Sequence, residues 1–402
     1  MLRSLFAGIT GLRSNQTMMD VVGNNIANVN TVGFKSSQTV FEDTLSQMVQ
    51  GAGAPQASSG GTNPAQVGLG VKLAGISTNF AQGAAQLTGR STDMMIQGDG
   101  FFLVRNGSEL LYTRAGSFSL DGSGQMVTPD GAVVQGWAGV NGVINTNGSP
   151  GAVKIPTGIQ LPPAQTANMS LGGNLPAGAA VGTNVVASIT AYDAQGVQHS
   201  MTYSFTNTAA NAWNLVVTDG TGVPSAPIAL AFSASGALTT PATPFTATYS
   251  FAGGTNNVTM NLAQMTQFGG AATASALSQD GSAVGGLQTF SISPDGTVVG
   301  VFSNGLRQPL AQISLATFNN PPGLEKVGDS MYRGSVNSGV ARLGVAGTGG
   351  RGTLAGGVLE MSNVDLAAEF TNLIISQRAL QASSKVITAS DEVLQDLVNL
   401  KR

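Results

Sequence analysis

Few residues in this 402-residue chain have the types and spacing that chemistry needs. The single histidine, His199, adjoins Ser200 in "AYDAQGVQHSMTYSF", and Asp193 could orient it as the base of a serine hydrolase. No nucleophile elbow surrounds Ser200, and the alternating pattern puts all three on ordinary strands. "GTGGRG", Gly347 to Gly352, satisfies G-x-G-x-x-G but lacks the preceding strand and following helix of a dinucleotide site, so it reads as a flexible connector. Asp365, Glu369, Asp391, Glu392 and Asp396 fall among the polar positions of a C-terminal helical pattern and read as a solvated or intersubunit face. Cysteine is absent, which removes disulfides, thiolate ligands and cysteine nucleophiles. No His or carboxylate set has metal-ligand spacing. The expectation is a protein that is not an enzyme, with no catalytic residue, cofactor or metal.

A different group stands out in "NNIANVNTVGFK", residues 24–35. Asn24, Asn25, Asn28 and Asn30 crowd the end of an apolar-periodic segment. Asparagine competes with helical backbone bonds, so the cluster ends a helix, and Gly33 supplies a turn. One such residue suffices for a helix end, and the others have amides to spend elsewhere.

Only 9% of residues are charged and the net charge is −3, with Lys and Arg scattered. This argues against nucleic acid or an anionic membrane surface as the partner. No apolar run reaches membrane-spanning length. The start, "MLRSLFAGITGLRSNQ", imitates a signal peptide, but glycine and Arg13 break its apolar run and no cleavage site follows, so it reads as mature sequence.

The elements that must position these residues follow from punctuation. All 16 prolines fall between Pro55 and Pro322, and no glycine follows Gly357. Both ends can be helical. Between them, short alternating runs are separated by turn dipeptides such as Asn106-Gly107, Asn141-Gly142, Asp219-Gly220 and Asp295-Gly296, the hairpin signature. At the start, Leu5, Leu12, Met19 and Ile26 fall seven apart with Ile9 beside them; at the end, Leu366, Leu373, Leu380, Ile387 and Leu394 repeat the spacing, flanked by Phe370 and Val398. Both stripes read as coiled-coil seams. Two such helices pairing only with each other would be marginal, so further copies of the chain are expected to cover their remaining faces.

The fold class is therefore α+β and multi-domain: a terminal coiled-coil domain (1–30 with 360–402), an extended connector (31–70 with 350–359), a first β domain (71–147 with 283–349) and a second β domain (148–282) inserted in the first. "NTNGSPGAVKIP" and "GGAATASALSQDGSAVGG" read as the linkers bounding the insert.

"NNIANVNTVGFK" resembles the N-terminal signature of the bacterial flagellar rod, hook and hook-associated axial proteins. "LEMSNVDLAAEFTNLIISQRALQASSKVITASDEVLQDLVNL" resembles their C-terminal block, and "MMIQGDGFFLV" with "YTRAGSFSLDGSGQMVTPDGAVVQGW" their shared β domain. The resemblance covers about a third of the chain, and the size of the insert favours a hook-type subunit over a distal rod subunit. It implies a homopolymer whose terminal helices form an inner tube, meeting a distal rod protein, a hook cap and a hook–filament junction protein. It also implies export by the flagellar type III apparatus, without a cleaved signal peptide, to the extracellular hook, and no membrane insertion. In that setting Asn24, Asn25, Asn28 and Asn30 would offer uncharged hydrogen bonds to adjacent subunits while Gly33 and Phe34 turn the chain outward. The stripes, from Leu5 to Ile26 and from Leu366 to Val398, would be the polymer interface. A surface adhesin with incidental helices is the rival from another class.

Overall fold

The computed structural model describes residues 2–56, 60–156, 158, 160–218, 224–251 and 254–399. The Asp219-Gly220 turn and the extreme ends of the terminal domain lie outside these residues. The proline-free ends are helical: α1 spans Leu2–Ala27 and α2 spans Leu366–Asn399. The Asp365 carboxylate caps α2 by accepting the N–H groups of Ala367 and Ala368 at 2.9 and 3.3 Å.

Beyond α1, strands β1 (Ser37–Asp43) and β2 (Ser46–Gln50) run out, and β3 (Ala65–Gly68) and β4 (Val71–Thr78) run back. β1 pairs with β4 and β2 with β3, both antiparallel, so 37–50 and 65–78 form a two-stranded ribbon. Its base lies along α1, where the Val71 N–H donates to Thr10 Oγ1 at 3.4 Å. The expected extended connector is thus hydrogen-bonded throughout much of its length. Its C-terminal part is paired too: Thr353–Gly356 with Met94–Gln97, and Val358–Glu360 with Ala85–Leu87.

Chain contacts divide the molecule into two compact units. The first comprises Met1–Pro156, Phe290–Val299 and Pro309–Arg402; the second comprises Thr157–Thr289 and Gly300–Gln308. In the first unit the hairpin Phe101–Asn106/Glu109–Thr113 is closed by Asn106-Gly107, as the dipeptide predicts. Val133–Val140 adds on one side and Met331–Arg333 on the other. Phe101, Tyr112, Phe318 and Tyr332 form a core of edge-to-face rings with centroids 4.7–5.9 Å apart.

The second unit is a β-sandwich. A five-stranded antiparallel meander, from Asn184–Tyr192 to Leu238–Thr240, faces a four-stranded sheet in which Asn168–Pro176 runs parallel to Gly254–Phe268. Trp213, Tyr203, Phe205, Met260 and Leu262, from both sheets, fill its centre. Neither expected linker is one. Ala152 pairs with Gln135, Val153 and Ile155 are fully buried, and Ser275–Gln279 is a strand beside Asn168–Pro176. Some of the small residues serve close packing rather than freedom, since a Cβ on Gly285 would come within 2.6 Å of Asn304 Nδ2. Where the sandwich begins and ends, Ala164 and Ser282 exchange two backbone hydrogen bonds at 3.1 and 2.8 Å.

Candidate functional site

The hydrolase candidates belong to a hairpin of the sandwich. His199 Nε2 lies 3.0 Å from Asp193 Oδ2, and Asp193 Oδ1 also accepts the N–H groups of Gln195 and Val197 at 2.9 and 2.8 Å. The hydrogen bond from His199 holds the Asp193 carboxyl below its usual range. Strand alternation puts exposed Ser200 on the face opposite buried His199, so the three cannot act together. The pair is a turn clasp. "GTGGRG" does follow a strand, Arg342–Val345, contrary to expectation, but leads into another strand rather than a helix. It is a closed turn in which the Gly347 N–H donates to Gly352 O at 2.9 Å and Arg351 Nε to Val345 O at 3.0 Å. Among the described residues no cluster of His, Asp or Glu could hold a metal, and no helix is long and apolar enough to cross a membrane.

The asparagines divide by role. Asn28 Nδ2 donates back to Asn24 O and Oδ1 at 2.9 and 3.1 Å, and Thr31 Oγ1 donates to Asn28 Oδ1, which winds off the last turn of α1. Asn30 is exposed. Asn25, expected to serve a neighbouring subunit, is instead 1% exposed and engaged within its own chain. Its amide donates to Ser37 O at 2.8 Å and Glu369 Oε1 at 2.9 Å, and accepts the Ser37 N–H at 3.0 Å. One side chain thereby ties α1, β1 and α2. Gly33 turns the chain with φ +69°, and its bare Cα is required because a Cβ would sit 2.5 Å from Ala115 N. Phe34 follows, with the Lys326 ammonium 5.1 Å from its ring centre.

Beside this turn lies a cluster the sequence reading missed. Lys35 Nζ donates to Glu360 Oε1 at 2.6 Å and to Ala81 O at 2.8 Å, and neither Lys35 nor Glu360 is exposed at all. Arg114, 3% exposed, reaches Glu360 Oε2 at 3.5 Å, and the Gly83 N–H donates to Glu360 Oε1 at 2.9 Å. Burial pushes the Lys35 amine below its ordinary value against the pull of Glu360, and does the same to Arg114. Asn363 completes the joint, accepting the Ser36 N–H at 2.8 Å and donating to Asn79 O and Ala81 O at 2.8 and 3.1 Å. The signal was available: a lysine and a glutamate stand in otherwise uncharged stretches just inside the two termini.

The helices pair antiparallel. Ser4 Oγ lies 3.3 Å from Ser390 Oγ, a Cβ on Gly8 would touch Ile387 Cγ1 at 3.1 Å, one on Gly11 would touch Ser383 Oγ at 3.1 Å, and Asn25 meets Glu369. The closest line therefore runs through small residues of α1, one position off the expected seam. On α2, Leu373, Leu380, Ile387 and Leu394 share one side, half-buried toward α1 of the same chain. Leu5, Ile9, Leu12, Met19 and Ile26 are half-buried beside that line. Leu366, Phe370 and Val398 are exposed, by 41, 50 and 68%.

The architecture is shared with a solved structure, a crystal structure of Helicobacter pylori flagellar hook protein FlgE2. It is 16% identical, with a TM-score of 0.52, and the match covers 67% of this chain and 98% of that one. Residues 5–35 match the family described as Flagella basal body rod protein, 95–174 the Flagellar hook protein FlgE/F/G D1 domain, 168–282 the Flagellar basal body protein FlaE D2 domain, and 355–400 the Flagellar basal body rod FlgEFG protein C-terminal. The flagellar hook protein FlgE of Borreliella burgdorferi is 40% identical across the whole of both chains. The chain belongs to the flagellar hook protein family. The Treponema pallidum hook protein is 37% identical, also over the whole of both chains. So, at 35%, is the flagellar basal-body rod protein FlgG of Bacillus subtilis. The size of the middle segment thus does not by itself separate hook-family subunits from rod subunits. Lys35, Arg114 and Glu360 lie one in each of three matched segments, so the buried cluster is where the hook-family domains of this chain meet.

Proposed function

We propose that this chain is the structural subunit that polymerises with itself into the curved tubular hook of the bacterial flagellum, a flexible universal joint passing motor torque to the filament. The observation that carries this reading is full-length identity of 40 and 37% with two hook proteins. A helix pair that leaves Phe370, Ile375 and Val393 about half exposed supports it, because such a surface belongs against another copy. On this reading the chain is not an enzyme. The terminal helices form the inner coiled-coil domain, and 148–282 is an inserted outer β domain. The stripe residues on α1 and α2, with Asn24, Asn28, Asn30 and Phe34, face neighbouring subunits. Its partners are a distal rod protein, a hook cap, a hook–filament junction protein and the type III export apparatus, and it reaches the cell exterior without losing a signal peptide. The Bacillus subtilis relative favours a second reading, a rod subunit. Electron microscopy of the concentrated protein, or of shed appendages, separates the two: a hook subunit gives curved tubes, a rod subunit straight ones, and a protein that stays monomeric at every concentration is neither.

A further inference from the structure

Two of the directions around α1 are occupied within the chain. Ser4, Gly8 and Gly11 face α2, while Ala7 and Thr10 face the ribbon at Gly70 and Val71. At roughly 100° per residue, Leu5, Ile9 and Leu12 point about a quarter turn from α2, on the side away from the ribbon. They form a half-buried apolar face. On α2 the line facing α1 runs through Ser383, Ile387 and Ser390. Ile375, Val386 and Val393 lie about a quarter turn from it in the opposite sense and are exposed by 55, 43 and 49%; Val386 stands at the edge of the seam, its Cγ1 3.6 Å from where a Cβ on Gly8 would sit. Because the helices are antiparallel, equal senses of rotation point to the same side of the pair and opposite senses to opposite sides. The pair therefore carries two different apolar faces, one on each side.

A two-fold dimer would bury one of these faces against itself and leave the other in water. An open helical polymer needs unlike faces that meet head to tail, each subunit offering one and receiving the other. We propose that the Leu5, Ile9 and Leu12 face of α1 seats on the Ile375, Val386 and Val393 face of α2 in the adjacent copy of this chain. This rests on the polymeric reading above and deepens it. None of the six facing residues is charged, Arg13 standing at the edge of the α1 face one turn beyond Ile9, and the contact prolongs the intrachain helix pair edge to edge into a continuous layer of helices.

The absence of cysteine makes the test direct. Ile9→Cys and Val386→Cys chains are polymerised separately and mixed, inspected for tubes, and treated with a short bis-maleimide; Leu12→Cys with Ile375→Cys gives a second pair. Covalent dimer several-fold more abundant in mixed tubes than in either single-variant tube is the expected result. Equal dimer in single-variant tubes, or none in mixed tubes, overturns the proposal while leaving the polymer intact. Radical footprinting of wild-type tubes covers the case in which the variants do not assemble. Ile9, Leu12, Ile375, Val386 and Val393 should lose labelling relative to monomer while Ile374, on the outer face of α2, keeps it; unchanged labelling of either face overturns the pairing. Failure of wild-type chain to form tubes at all defeats the polymeric reading itself.

Discussion

At the scale of single residues, the joint between helices and β structure depends on buried charged groups. Lys35→Met leaves Glu360 buried with Arg114 as its remaining charged partner and should lower stability by about 3–5 kcal/mol. Thermal melts should show the Lys35→Met/Glu360→Gln double variant losing less than the sum of its single changes. Gly33→Ala adds about 1–3 kcal/mol of backbone strain, before counting the clash with Ala115, and should melt early by circular dichroism. Glu369 gives a pH signature. Its carboxyl is raised above 4.5, first by burial and secondarily by Asp365, against the hydrogen bond from Asn25. Just above pH 4.5 the folded chain holds a proton that the unfolded chain has lost, so stability falls as pH rises through that window. Glu369→Gln should flatten this slope, a difference under about 1 kcal/mol for a partly solvated group, read from melts across pH 4 to 7. The asparagine cluster was legible as a helix end. That Asn25 turns inward was not, because burial of one amide among four is decided by where Ser37 and Glu369 arrive from distant sequence.

At the scale of elements, the heptad spacing announced both helices and their pairing. It put the closest approach on the largest residues, whereas the structure brings Gly8 and Gly11 against Ile387 and Ser383. Apolar periodicity reports which side of a helix avoids water but not which of two adjacent lines is tightest, and glycine carries no hydropathy signal at all. Gly8→Val should therefore overpack the pair, costing about 1–3 kcal/mol. Leu380→Asp should place a charge in the half-buried seam at a cost of several kcal/mol. Both should abolish tubes in the electron microscope while leaving the cooperative melt of the β structure unchanged; normal tubes would show that the helix pair does not drive assembly. The ribbon was invisible beforehand because its glycine- and serine-rich tip reads as a linker, and its pairing partners, such as Ser37 and Thr78, are remote.

At the scale of the whole molecule, the mainly antiparallel sheets agree with the turn dipeptides, and the Asp329-Ser330 turn shows what dipeptides miss, adopting φ of +51° and +56° without glycine. The paired Ala164 and Ser282 allow the intervening residues to be replaced by a short bridge. The shortened chain should keep the melt of the first unit and still form tubes; if that unit folds and tubes fail, the sandwich is part of the essential scaffold. The Lys35–Glu360 contact has a kinetic consequence as well. Its partners are 325 positions apart, so closing it costs the loop entropy of most of the chain and cannot nucleate folding. The hairpins should form first and the joint last, which makes the pair a test of completeness: a chain ending between Gly357 and Glu360 retains the strands up to Thr353–Gly356 but leaves a buried lysine without its carboxylate. Pulse-labelled refolding should show amides around Phe102 and Tyr112 protected well before those of Gly33 and Ser36.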